Sequence, residues 1–323
     1  MTNTSWRGTV RIAVSAVALA LTLSCGGSAP TDLDGDTNVT PAVLSITASD
    51  LASRIETIAH DSMGGRRTPS LGLEQTAAYV ADQFLASGLR PGADGDFLQR
   101  FTVQSGLDAM NTIGWIEGAD PSFNSEYVVF SAHMDHLGTG TPFQGDSIYN
   151  GADDNASGTA AILELAEAFG RFGVRPRRSI VFITFSAEEL GLVGSRWYTD
   201  NPTFSLDQTF GNINLDMIGR NWKDTIVAIR SPAQFGEVAE QVATEHPELG
   251  LTVIDDPWPE LSLLNRSDQF SFIRNGVPAL FFTSGLHSDY HTPRDEPDGI
   301  DYEKTERVTR LLFFLALELT GYQ

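Results

Sequence analysis

Cysteine is almost missing from this chain: one thiol, Cys25, stands among 323 residues. No internal disulfide can form, and beyond Cys25 no thiolate is available to ligate a metal. Positive charge is scarce as well. Lys and Arg number 21 against 42 Asp and Glu, for a formal charge of -21, which argues against binding a nucleic-acid backbone. The acidity serves solubility at least as readily as it steers cationic substrates. Long apolar runs are also lacking. The stretches from Ile12 to Leu23 and from Leu311 to Leu317 are shorter than the roughly 20 residues that cross a bilayer. Beyond about Ser45 there is no second linker, repeat or low-complexity segment. What is present, 41% hydrophobic and 10% aromatic residues, suits a globular protein with a substantial core.

The N-terminus is built differently. Arg7 and Arg11 precede the apolar stretch Ile12 to Leu23, which meets Ser24-Cys25-Gly26-Gly27. That is the build of a secretory signal over residues 1–24. Thr22-Leu23-Ser24-Cys25 resembles a bacterial lipobox, with Thr22 where Leu is usual. The expectation is export to the cell envelope with a lipid anchor at Cys25 as the only membrane contact; cleavage and release is the alternative. Residues 25–45, dominated by Gly, Ser, Thr, Pro and Asp, read as a flexible tether. Residues 46–323 read as one domain.

Within that domain the pattern alternates. Leu73, Ala77, Val80 and Phe84 share one helical face, and Gly88 closes the segment. Short apolar runs follow: Tyr127 to Phe130, Ile180 to Phe185, Ile213 to Leu215, Ile226 to Ile229 and Ala279 to Phe282. Runs of this length suit strands buried on both faces of a parallel or mixed sheet. Between the first two, Ile162, Leu165, Ala166 and Phe169 line a helix, and Tyr302 to Gly321 forms a closing amphipathic helix. Strand, helix, strand repeated in this way predicts an α/β fold: a three-layer α/β/α sandwich around a mixed, mostly parallel sheet.

Five polar clusters interrupt the pattern. Ser131 to His136 follows the first strand, Ala187 to Gly191 the second, Asn214 to Asp216 ends the third, and His287 to Pro293 follows Ala279 to Phe282. The fifth, Gly151 to Gly158, opens the helix after the first strand. Ligands of open α/β sheets bind beyond the carboxyl ends of strands, so these loops are expected to converge on one crevice. Each piece alone has a plain alternative: a turn histidine, a helix N-cap, a solvated Glu188-Glu189 pair. Together they offer imidazole and carboxylate, the donors that suit zinc. One zinc needs three protein ligands; five donors and a spare glutamate are what two metals sharing a carboxylate need.

The motifs His133-Met134-Asp135, Gly151 to Gly158, Ala187 to Ser195, Asn214 to Gly219 and Asp289 to Pro293 resemble those of the co-catalytic zinc aminopeptidases of clan MH. The resemblance covers nearly all the chain after Ser45. It implies that Asp154 bridges two zinc ions, with His133 and Asp216 completing one site and Glu189 and His291 the other. By the same resemblance Glu188 is the general base, Tyr290 stabilises the oxyanion, Asp135 orients His133, and the Asp154-Asn155 bond is cis. The implied activity is release of N-terminal residues from peptides. A carboxypeptidase or glutaminyl-cyclase-like enzyme on the same fold is the alternative, and a non-catalytic receptor-like module a more remote one.

Two departures bear on this. Val103 to Asn124 is too short for the extra domain that some relatives insert there, and the chain lacks cysteines for the disulfide that some place beside the specificity pocket. A carboxypeptidase would need a basic side chain in the pocket; Arg220, Arg266, Arg274 and Arg294 lie near the motif loops. His136 and His287 carry no assigned role, and Asp268 reads as structural.

Overall fold

The apolar runs become strands. In a computed structural model, which describes residues 37–102, 106, 108–231, 235 and 237–322, all seven residues of Ser179–Phe185 are buried. The expected signal segment and Cys25 lie outside the described residues. Among the described residues eleven strands are formed: β1 Arg90–Pro91, β2 Leu98–Thr102, β3 Asp108–Ile116, β4 Tyr127–His133, β5 Gly138–Phe143, β6 Asp146–Tyr149, β7 Ser179–Phe185, β8 Thr209–Leu215, β9 Thr225–Ser231, β10 Thr252–Ile254 and β11 Ala279–Thr283. The α-helices are α1 Val39–Ser45, α2 Ala48–Ile58, α3 Leu71–Ala86, α4 Gly158–Arg171, α5 Val193–Asp200, α6 Val238–Glu245, α7 Gln269–Arg274 and α8 Tyr302–Thr320.

Nine strands make one sheet in the order β1-β3-β7-β4-β8-β11-β9-β10, with β2 also paired to β3. The central four, β7, β4, β8 and β11, are parallel; β3 and β9 join them antiparallel. The sheet is therefore mixed with a parallel centre. Chain order reverses around β4, which lies between β7 and β8. Such a switch point opens a crevice at the carboxyl ends of the strands.

Period-two alternation sends the strands' side chains to two layers. Val128, Phe130 and Ala132 of β4 pack with Ile180 and Phe182 of β7, and with Ile55, Ile162, Leu165, Leu311 and Leu315 from α2, α4 and α8. The opposite face carries Val129, Val181, Ile183 and Phe185 against Tyr198 of α5 and Phe272 of α7. Helices thus cover both faces. Side-chain caps start α2, α3 and α8: Thr47, Ser70 and Asp301 accept from Asp50, Leu73 and Lys304 backbone N–H groups.

One sequence expectation needs correction. The tether ends before residue 45, because Val39–Ser45 is helix α1, with Ala42, Val43 and the following Ile46 buried in the main core cluster. Three apolar side chains suffice to dock one short helix. The stretch from Val103 to Asn124, whose apolar residues form no unbroken run, contributes β3. Its polar Asn111 is buried and fully engaged, donating to Gln99 Oε1 and Gly194 O and accepting from Ser186 N.

Candidate metal centre

The central strands deliver the candidate residues to one crevice. His133 is the last residue of β4, Glu188 and Glu189 follow β7, and Asp216 follows β8. Asp154 lies just before α4, and Tyr290 and His291 lie in the loop after β11. All seven converge there. Ala187, Met217 and His291 adopt positive φ of 57°, 61° and 56°. This backbone costs an L-residue about 1–2 kcal/mol and here falls at the turns beside the donors.

Asp154 sits at the centre, 3% exposed. Its Oδ1 lies 3.3 Å from His133 Nε2, which is also 3.3 Å from Asp216 Oδ1. Its Oδ2 lies 3.1 Å from His291 Nε2, which is 3.4 Å from Glu189 Oε2. One carboxylate therefore faces two separate donor groups, one oxygen to each. Burial favours a neutral carboxyl, but His136, His133 and His291 hold Asp154 well below the usual carboxylate range. His291, despite the opposing effect of burial, is raised to about 10 by Asp154 and Glu189.

The donor separations fit a metal. Zinc bonds of about 2.0–2.2 Å arranged tetrahedrally place neighbouring donors about 3.3 Å apart, and the four separations above run from 3.1 to 3.4 Å. His133, Asp154 and Asp216 form one group whose ligand atoms lie within 4.8 Å of one another. The buried Asp154 Oδ2 makes no hydrogen bond, as an oxygen reserved for a cation would not. Six carboxyls, Asp135, Asp154, Glu188, Glu189, Asp216 and Asp268, meet here with three imidazoles, a charge balance that cations would relieve.

The surroundings hold the donors in place. Asp295 accepts from the backbone N–H groups of Asp153 and Asp154 at 3.0–3.1 Å. Asn155 donates to Leu215 O at 2.8 Å, tying this turn to the end of β8. The bond between Asp154 and Asn155 is cis, as expected. His133 Nδ1 lies 3.1 Å from the backbone carbonyl of Asp135 and 3.8 Å from its carboxylate. The expected orienting partner of His133 is thus the Asp135 main chain in the first instance. The Asp135 carboxylate accepts instead from Glu188 N and Thr68 Oγ1, at 3.1 and 3.2 Å.

Several contributors escaped the sequence reading. Arg66, fully buried, donates to the carbonyls of Ile58, Met134, Asn150 and Gly151 and so clamps the loops that carry His133 and Asp154. Nothing in the Gly64-Gly65-Arg66-Arg67 stretch signals this role. His287 does not enter the metal group; its Nε2 lies 3.4 Å from Asp153 Oδ2, behind Asp154. Lys304 of α8 is buried and donates to Arg220 O and Ser284 Oγ, each at 2.6 Å, pinning the loops after β8 and β11. Burial lowers its pKa to about 8, below the 10.5 of an exposed lysine. The folded state therefore binds fewer protons than the unfolded one between those values. The stability difference between wild type and Lys304→Met is expected to move in favour of wild type as pH rises from about 8 to 10.5. The shift is at most about 3 kcal/mol, read by denaturant unfolding.

Beside the donors lies a cleft lined by Met217, Leu263, Phe281, Thr283, Gly285 and Leu286 as well as by Glu188 and Tyr290. Of the four arginines near the motif loops only Arg266 lines it. Arg220 and Arg294 pair with Asp289, and Arg274 lies over the Phe270 ring.

Known proteins share these features. Residues 111–316 match the model of peptidase family M28. Leupeptin-inactivating enzyme 1 of Streptomyces exfoliatus is 34% identical over 168 residues, 52% of this chain and 34% of that protein. Aminopeptidase YwaD of Bacillus subtilis (strain 168) is 30% identical over 224 residues, 67% of this chain and 45% of that one. The chain thus spans less than half the length of these two curated relatives in the matched regions. The solved structure of LapB from Legionella pneumophila has the same fold, with a TM-score of 0.71, 21% identity, and coverage of 90% of this chain and 77% of that one. With a family match across most of the domain and the donor clusters at its strand ends, the chain belongs to peptidase family M28.

Proposed function

We propose that this protein is a zinc aminopeptidase with two metal ions, which removes the first residue of peptides whose N-terminus is free. The observation that carries the reading is Asp154, with one oxygen turned to His133 and Asp216 and the other to His291 and Glu189. His133 and Asp216 would hold one ion, Glu189 and His291 the second, and Asp154 both. When bound, the ions supply Lewis acidity and a water of lowered pKa.

The chain's own residues do the rest. Glu188 lines the cleft beside His133, Asp154 and Asp216, where it takes a proton from the attacking water and returns it to the leaving amine. Tyr290, stacked on His291 at 3.8 Å between ring centroids, is kept protonated at neutral pH. Burial and the carboxylates Asp154, Asp216 and Glu189 raise its pKa. Its hydroxyl can then donate to the developing oxyanion. Tyr290→Phe is expected to lower kcat by about 100-fold while leaving KM and zinc content near wild type; steady-state kinetics with metal analysis reads this.

The apolar wall of Met217, Leu263, Phe281 and Leu286 favours an apolar first side chain. Arg266 at the same cleft is a feature that favours a carboxypeptidase. Hydrolysis of leucyl-chromophore substrates with a free or blocked amine, and of N-blocked peptides ending in a free carboxylate, separates the two. Chelator-sensitive cleavage of the free-amine substrate alone supports the proposal, and cleavage confined to blocked substrates with a free carboxylate sinks it. Export with lipid attachment at Cys25 is proposed on the sequence alone; an unmodified, uncleaved N-terminal peptide in mass spectrometry of the mature protein would refute it.

A further inference from the structure

His136 lies outside the five expected donors, yet it faces the same carboxylates. Its side chain is fully buried, and neither ring nitrogen makes a hydrogen bond. Leaving a buried polar group unsatisfied costs about 1–3 kcal/mol, so such a group calls for a missing partner. Its Nδ1 lies 2.9 Å from Glu189 Oε1 and 3.6 Å from Asp154 Oδ2. Both of those oxygens are also buried and without hydrogen bonds. The 2.9 Å contact is close enough for an ion pair but is not aligned as a hydrogen bond. Three orphaned donor atoms, from His136, Asp154 and Glu189, thus lie within 4.8 Å of one another.

The ring has little freedom to turn away. Gly151, at φ 57°, leaves no room behind it: a Cβ there would come within 2.5 Å of the His136 ring. On the other side stands the His291 ring, edge-on at 5.7 Å between centroids. The two imidazoles approach Asp154 and Glu189 from different directions, His136 from the interior and His291 from the cleft, where its side chain is 35% exposed. We propose that His136 is a sixth protein donor to the metal pair, offering Nδ1 to the ion held by Asp154, Glu189 and His291. The proposal rests on the two-metal reading above. It implies that the second ion has four protein donors and survives the loss of either histidine.

Zinc content and affinity test this without recourse to activity. Wild type, His136→Ala, His291→Ala and the double variant are loaded with zinc, dialysed, and measured by elemental mass spectrometry and by competition with a chromophoric chelator. Each single variant is expected to keep two ions, with the weaker one bound at least about 10-fold less tightly, and the double variant to keep one. Cobalt(II) substitution gives a second readout: its visible spectrum changes in His136→Ala if a nitrogen donor has been lost. If His291→Ala retains one ion, or His136→Ala matches wild type in affinity and cobalt spectrum, the proposal is overturned. A wild type holding fewer than two ions overturns the two-metal reading, and this proposal with it. Should the alanine variant misfold by far-UV circular dichroism, His136→Asn fills the buried site and is read against the same expectations.

Discussion

Glu188→Gln is expected to lower kcat by about 10³-fold while two zinc ions stay bound. The magnitude is that of a lost general base. The separation of activity from metal content follows from where Glu188 sits. It lines the cleft, but the ion-pair contacts to the histidines of the centre come from Asp135, Asp154, Asp216 and Glu189. Its backbone N–H is fixed by Asp135 Oδ1 at 3.1 Å, so the amide substitution leaves that anchor in place. Burial lifts the Glu188 pKa well above the ordinary carboxyl value; His133 opposes this, and Asp268, Asp216 and Glu189 add to it. A base acts only when deprotonated. The acid limb of kcat against pH should therefore fall as pH drops through the Glu188 pKa, and Glu188→Gln should lack that limb in its residual activity. Bound cations draw the same pKa downward, so the limb should lie at higher pH when metal occupancy is incomplete.

Asp154→Asn is expected to cost both metal and activity. Its two oxygens serve two donor groups, and an amide offers one oxygen and no charge. Zinc content should fall to one ion or fewer per chain, and kcat/KM by about 10³-fold or more. Stability supplies an independent reading. Ligand at 1,000 times its Kd stabilises the folded state by about 4 kcal/mol, so zinc should raise the Tm of wild type clearly and that of Asp154→Asn far less. If Asp154→Asn keeps two ions with wild-type affinity, the shared-carboxylate arrangement is wrong.

The chemistry was more legible than the scaffold's edges. Strands β4, β7, β8 and β11 announce themselves because the sheet centre is buried on both faces, which demands unbroken apolar runs such as Ile180 to Phe185. The polar clusters after them stand out against that background, and their order suffices to place the crevice. β3 stayed hidden for the opposite reason. Its buried Asn111 and Thr112 break the apolar run, and their burial is made tolerable by partners distant in sequence, such as Gly194 for Asn111. The hairpin of β5 and β6 is largely exposed, so it carries no core pattern. Helix α1 was read as tether because seven residues are too few to show a helical period, and they continue directly from a Gly-, Thr- and Asp-rich run. At the site, Arg66 and Asp295 act on backbone groups, which leave no trace in residue pattern. His136 sits three residues from His133 in plain view, but only the fold shows its ring beside Glu189.

The central claim is that Asp154 holds two zinc ions between two sets of donors. Anomalous diffraction at the zinc edge from crystals of the zinc-loaded protein tests it most directly. The account predicts two peaks about 3.5–4 Å apart, with Asp154 between them, one against His133 and Asp216 and the other against Glu189 and His291. A single peak, or two peaks of which neither touches Asp154, would contradict it.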